Sequence, residues 1–187
     1  MIGIDEAGRG AWAGPLVVAG CRFRSIPGFI NELRDSKQLS KVKRAVLHER
    51  IVDVCETHIV TVPPNLIDSH GLTYCLKQAM EEIARHLPAD SILIDGPYNF
   101  LKDTDFAAVA TTLIKADSLV PEVMAASIVA KVTRDNLMSQ YDDEYPGYGF
   151  KQHVGYGTKV HLEALNRFGI CELHRRSYKP IARLLQP

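Results

Sequence analysis

Several common signals are missing from this chain, and each absence narrows what it can be. No apolar run approaches the ~20 residues that a membrane-spanning helix needs, and no charged start leads into an apolar export signal. Cysteine is sparse: Cys21, Cys55, Cys75 and Cys171 lie far apart with no Cys-x-x-Cys pair. That excludes a zinc cluster or disulfide framework and predicts small core residues of a reducing, cytoplasmic compartment. Neither GxxxxGK[ST] nor GxGxxG occurs, so the chain lacks the usual phosphate-cradling loops. Net charge is also absent, 22 basic residues against 22 acidic ones, which at first argues against a nucleic-acid partner.

What is present is a globular composition. With 46% hydrophobic and 24% charged residues over 187 positions, the chain fits one folded unit, residues 1–187. Its neutrality is a cancellation. Residues 145–187 hold seven Lys/Arg against two acids, a balance of +5, which leaves −5 for residues 1–144. A basic end of this kind fits a polyanion-facing region, and equally a solvated helix face.

The pattern along the chain predicts strands alternating with helices. Apolar residues 1–5 and 15–23 flank a glycine-rich turn and read as an antiparallel pair. Ser40 can cap a helix running to about residue 58, a short strand ended by Pro63-Pro64 follows, and residues 72–87 are amphipathic at helical spacing. Residues 91–95 (SILID) and 107–114 read as strands, and residues 121–143 as a long helix that Pro121 can start. Short helices are expected over 160–168 and 179–185. The expected class is an α/β layer fold on a mixed sheet.

Acids cluster at the ends of these strands. Asp5 and Glu6 leave the first strand, Asp95 leaves SILID, and Asp117 sits between the next strand and the long helix. Neighbouring strands would gather all four carboxylates in one cleft. Such a cluster repels itself unless hard cations neutralise it, and oxygen-only donors suit Mg²⁺ or Mn²⁺. A pair of such ions can drive phosphodiester hydrolysis. Singly, Asp95 before Gly96 is also an ordinary turn signal, and Asp117 before a helix an ordinary cap.

Six segments carry a resemblance to a known family. GIDEAGRG with AGPLVVA (3–10 and 13–19), DSKQLS (35–40), LIDG (93–96), KADSLVPEVMAASIVAKVTRD (115–135), YGFKQHVGYGT (148–158) and HRRSY (174–178) occur in the order found in ribonuclease HII, the type 2 ribonuclease H. The resemblance implies a ribonuclease H-like mixed five-stranded sheet flanked by helices. It also implies a C-terminal helical region, from about residue 145, that grips the duplex. It places two divalent ions, Mg²⁺ or Mn²⁺, on Asp5, Glu6, Asp95 and Asp117. Gly8, Arg9 and Gly10 would let backbone approach a ribose 2′-OH, and Tyr156 would stack on the DNA side of an RNA-to-DNA junction. Lys37, Lys131, Arg134, Arg175 and Arg176 are expected phosphate contacts. The implied activity is endonucleolytic cleavage of the RNA strand of RNA–DNA hybrids. It includes nicking 5′ of single ribonucleotides in duplex DNA, by a monomer with no membrane partner. Contact with a replication clamp stays open.

The chain departs from the family pattern at Ala11-Trp12, Gln38, Pro97, Ala116, Val154 and Gly157, and none of these removes an acid. Two rival readings remain: a ribonuclease H-like nuclease of other substrate preference, and a hybrid-binding protein with weakened catalysis. The short flanks lead to the expectation that there is no added N-terminal substrate-binding domain and no long partner-binding tail. His153 stays open between a loop hydrogen bond and catalysis, and its loop setting favours the former.

Overall fold

Alternation along the first strand sets the layers. In β1 (Ile2–Ala7), Ile2 and Ile4 are buried toward one side, while Asp5 and Ala7 face the other. The computed structural model describes residues 1–33, 36 and 39–186, so Lys37 and part of the DSKQLS segment lie outside the described residues. β2 (Leu16–Phe23) pairs antiparallel with β1, and β3 (Cys55–Val62) pairs antiparallel with β2. β4 (Ile92–Asp95) runs parallel to β1, and β5 (Ala110–Leu113) parallel to β4. The order β3-β2-β1-β4-β5 is the expected mixed five-stranded sheet.

Helices cover both faces. α1 (Lys41–Val54) and the 24-residue α4 (Pro121–Glu144) close one side over Val17, Ala19 and Cys21. α2 (Pro64–His70) and α3 (Leu72–His86) close the other over Ile2, Ile4, Leu16 and Val18. A third apolar cluster lies beside the end of α4, built from Ala13, Met138, Tyr148, Phe150, Ala164 and Leu173. It gathers α5 (Phe150–His153) and α6 (Lys159–Phe168), and an Ala13–His174 bridge ties it to the loop before β2. α7 (Lys179–Leu184) follows.

The structure differs from the sequence expectation at three boundaries. Ser40 caps α1 as anticipated, accepting from the Lys43 amide at 3.3 Å, but the helix stops at Val54 instead of near residue 58. Residues 55–62 instead pair with β2 in full register, and Ile59, Val60, Thr61 and Val62 suit a pleated surface better than a helix. Pro64 starts α2, which the sequence reading lacked, using the fixed φ that makes proline a good first-turn residue. β5 is confined to Ala110–Leu113 because residues 107–109 complete a turn. All four cysteines are free thiols, three of them buried. No helix among the described residues is long and apolar enough to cross a membrane.

Candidate active site

β1 and β4 run side by side with Ile4 opposite Ile94, so Asp5 and Asp95 leave neighbouring strands at the same end. Asp117 arrives from a short helical turn after β5, led in by Lys115 in a left-handed conformation (φ 63°). One carboxylate oxygen from each of Asp5, Asp95 and Asp117 lies within 4.8 Å of the others. The Asp117 amide donates to Asp95 Oδ1 at 3.3 Å, and the Glu6 amide to Asp5 Oδ1 at 2.7 Å. Alternation turns Glu6 away from this trio. Glu6 instead lines the same cavity of about 350 Å³, with Asp5, Ser36, Asp95, Ser127, Lys131 and Tyr156.

The electrostatics are those of a site built for cations. Burial pushes the Asp5 carboxyl well above its ordinary range, the negative charges of Glu6 and Asp95 push it further, and a hydrogen bond with Ser127 opposes them. Lys131 lines the cavity, but its ammonium pairs with Asp135 at 2.8 Å on the next turn of α4. Asp5 and Asp117 are buried, and the donors are all oxygens. That chemistry fits a hard divalent cation, which would offset the repulsion and hold the carboxylates ionised.

The ribonuclease HII family pattern matches residues 2–181. The chain is 43% identical to ribonuclease HII of Sulfurovum sp. (strain NBC37-1), over 96% of this chain and 91% of that protein. It is 42% identical to ribonuclease HII of Francisella tularensis subsp. novicida (strain U112), over 99% of each. The chain belongs to the ribonuclease HII family. A solved PCNA:RNase HII complex from Archaeoglobus fulgidus contains a chain of the same fold, with a TM-score of 0.83 and 29% identity, covering 95% of this chain and 94% of that one. The mixed sheet with flanking helices and a C-terminal helical region is therefore the ribonuclease H-like fold.

Around the carboxylates, the other residues that ribonuclease HII resemblance singles out fall into two groups. Arg9 and Gly10 are exposed in the turn after β1, and a Cβ built on Gly10 would meet nothing within 4 Å. The Arg9 guanidinium sits over the rings of Tyr98 and Phe100, at 5.8 and 5.7 Å. Tyr156 is 38% exposed and lines the cavity. Arg176 is exposed, and its backbone amide donates to Asp68.

Arg134 and Arg175 require a correction. Both guanidinium groups are fully buried, so neither presents a surface to a phosphate. Arg134 donates from Nε to Pro15 O and from Nη2 to Ala13 O, and burial lowers its pKa to about 10. Its guanidinium lies 5.4 Å from the centre of the Tyr156 ring. Arg175 donates to Gly14 O through Nε and Nη2, and to Arg9 O and the Tyr178 hydroxyl through Nη1. These two cations hold the loop that carries Arg9 and the Tyr156 platform; the sequence displays their charge but not the backbone packed over them.

Two family departures meet in space. The Trp12 indole occupies the space over Gly157, where a Cβ would lie 2.1 Å from Cζ2. The Trp12 amide also donates to Gly155 O at 2.8 Å. Trp12 thus braces the Tyr156 loop. His153 serves that loop too, with Nε2 2.8 Å from Tyr148 O and Nδ1 accepting from the Gly155 amide, the role the sequence suggested. Ser36 and Ser127, whose hydroxyls lie 2.9 Å apart in the cavity, went unnoticed in the sequence. The available signal was the four-residue spacing of Ser127 and Lys131, which puts both on one face of α4.

Proposed function

We infer that this chain is a metal-dependent endoribonuclease. It cuts the RNA strand of RNA–DNA hybrids and nicks 5′ of single ribonucleotides in duplex DNA, leaving a 3′-OH and a 5′-phosphate. The observation that carries this reading is the close Asp5–Asp95–Asp117 trio, with Asp5 and Asp95 lining one cavity with Tyr156, in a ribonuclease HII chain. Asp5 and Asp95, from adjacent strands, would hold two Mg²⁺ or Mn²⁺ ions together with Glu6 and Asp117. Bound there, the ions would supply Lewis-acid charge and a water nucleophile for phosphodiester hydrolysis.

The remaining work falls to the chain itself. Ser127 orients the Asp5 carboxyl. Gly8, Arg9 and Gly10 present backbone to the ribose 2′-OH; neither packing nor a positive φ explains glycine at position 10, and close substrate approach does. Tyr156, backed by Arg134, offers a ring to the sugar or base on the DNA side of the junction. Lys131 and Arg176 are the proposed phosphate contacts among the described residues, within a basic region at 145–187 that grips the duplex.

The test uses a duplex with one embedded ribonucleotide, incubated with each ion in turn and mapped at the cut. A nick 5′ of the ribonucleotide is expected, and Asp95→Asn should fold normally while losing at least a hundredfold in rate. Near-wild-type turnover by that variant would sink the reading. Equal cutting of an all-DNA duplex would move the chain to the rival nuclease class, and tight binding without cleavage to the hybrid-binding class.

A further inference from the structure

On the sheet face opposite the carboxylates, the β2–β3 register builds a second cluster of ligand-type side chains. Gly20 pairs across the sheet with Ile4 on one side and His58 on the other, so His58 shares the face that α3 covers. At Gly20 a Cβ would lie 2.2 Å from Ile83 Cγ2; its absence lets α3 sit close to the sheet here. His58 therefore reaches the exposed flank of α3. Its Nε2 lies 3.2 Å from Glu82 Oε1, and its ring stacks on His86 with centroids 4.0 Å apart and planes 9° from parallel.

We propose that His58, Glu82 and His86 bind a borderline divalent transition ion, with Zn²⁺ as the best-matched chemistry. Three features favour this over a plain His–Glu ion pair. One ligand atom from each side chain lies within 4.8 Å of the other two, so a turn of one ring is enough to bring all three to a single ion. Glu82 and His86 stand one turn apart on a rigid helix, the spacing at which two donors share one face. The His86 Nδ1 already sits 2.8 Å from the Glu82 carbonyl oxygen. Donating that N–H fixes the tautomer and leaves the Nε2 lone pair as the ligand, the arrangement found behind metal-bound histidines.

Two imidazoles and a carboxylate make a borderline donor set, suited to Zn²⁺ at ~2.0–2.1 Å and poorly suited to Mg²⁺, which prefers oxygen. Parallel rings cannot both aim at one ion. Since His86 is tied to the helix carbonyl, His58 makes the swing about its Cβ–Cγ bond. A water can fill the fourth tetrahedral position on the solvent side, where the Glu82 side chain is half exposed. The bound ion would pin α3 to β3, the edge strand of the sheet.

The experiment titrates the full chain with Zn²⁺ against a chromophoric chelator, in excess Mg²⁺ to keep the oxygen site filled. Wild type should take up one Zn²⁺ that is bound at least tenfold more weakly by Glu82→Gln and by His86→Ala, and equally well by Asp95→Asn. Zn²⁺ should raise the melting temperature of wild type and of neither histidine-site variant. Both substitutions are at exposed positions and are checked by their melting curves, so either one suffices. No uptake by wild type, equal affinity in the two variants, or loss of the ion in Asp95→Asn would each overturn the proposal. None of these readouts depends on nuclease activity.

Discussion

Asp5 is where the cost of the carboxylate site is concentrated. Its pKa is raised by burial first, then by Glu6 and Asp95, so without a divalent ion the folded chain disfavours the ionised carboxylate. Asp5→Asn should therefore stabilise the metal-free protein by about 1 kcal/mol, roughly 2–4 °C in Tm for a chain of this size. It should also abolish most of the rise in Tm that Mg²⁺ or Mn²⁺ gives wild type; calorimetry with and without chelator checks both. Two glycines make a matched contrast. Gly10 is exposed with open space where a Cβ would stand, so Gly10→Ala should leave stability within about 0.5 kcal/mol and cut single-ribonucleotide cleavage at least tenfold. At Gly157 a new Cβ would meet Trp12 at 2.1 Å, so Gly157→Ala should cost about 1–3 kcal/mol. Trp12→Leu should recover part of that loss, and a double-mutant cycle by urea denaturation would read a coupling of at least about 0.5 kcal/mol.

Among the elements, α6 and the loop that follows it carry a histidine relay that ends on the Tyr156 loop. The Cys171 amide donates to His174 Nδ1 at 2.9 Å, which leaves His174 Nε2 as the donor to His161 Nε2 at 3.0 Å. His161 Nδ1 then donates to Tyr156 O at 3.0 Å. Each ring is neutral in this chain of bonds, and burial lowers both pKa values to about 4. Between pH about 4 and about 6.5, the unfolded chain binds more protons at these positions than the folded one, so stability is lost as pH falls through that window. Wild type should lose about 1–3 kcal/mol more than His174→Asn between pH 6.5 and 4.5; urea melts of both across the range measure it.

For the whole molecule, a net charge of zero conceals a division between an acidic stretch that holds the carboxylate cluster and a basic end. Not every cation of that end faces outward. Arg175 is buried on four backbone and hydroxyl bonds, whereas Arg176, one residue on, is exposed. Arg175→Ala should lower stability by about 3–5 kcal/mol, because the Gly14 carbonyl loses two donors, the Arg9 carbonyl loses one, and the large buried side chain leaves a cavity. Arg176→Ala should leave Tm unchanged while weakening duplex binding and reducing the salt slope by about 1. Binding titrations at two or more salt concentrations, run beside thermal melts, separate the two residues.

Much of this protein is decided locally and is therefore legible in one dimension. The apolar periodicity of α3, Pro121 at the head of α4, the alternation of β1 and the capping hydroxyl of Ser40 act within a few residues of themselves. Acids at strand ends follow from the same patterns, which is how Asp5, Asp95 and Asp117 could be named together before their meeting was seen. Other features depend on what packs against what. Residues 55–58 are a strand because β2 supplies the partner, although a helix precedes them without a break. Glu6 stands outside the trio because the pleat turns it away, and Arg134 and Arg175 are buried because the loop at 13–15 folds over them. The sequence by itself determined the charges, the periodicities and the family. Only the tertiary structure decided which charges meet solvent and which meet each other, because burial and distance belong to pairs of segments far apart in the chain.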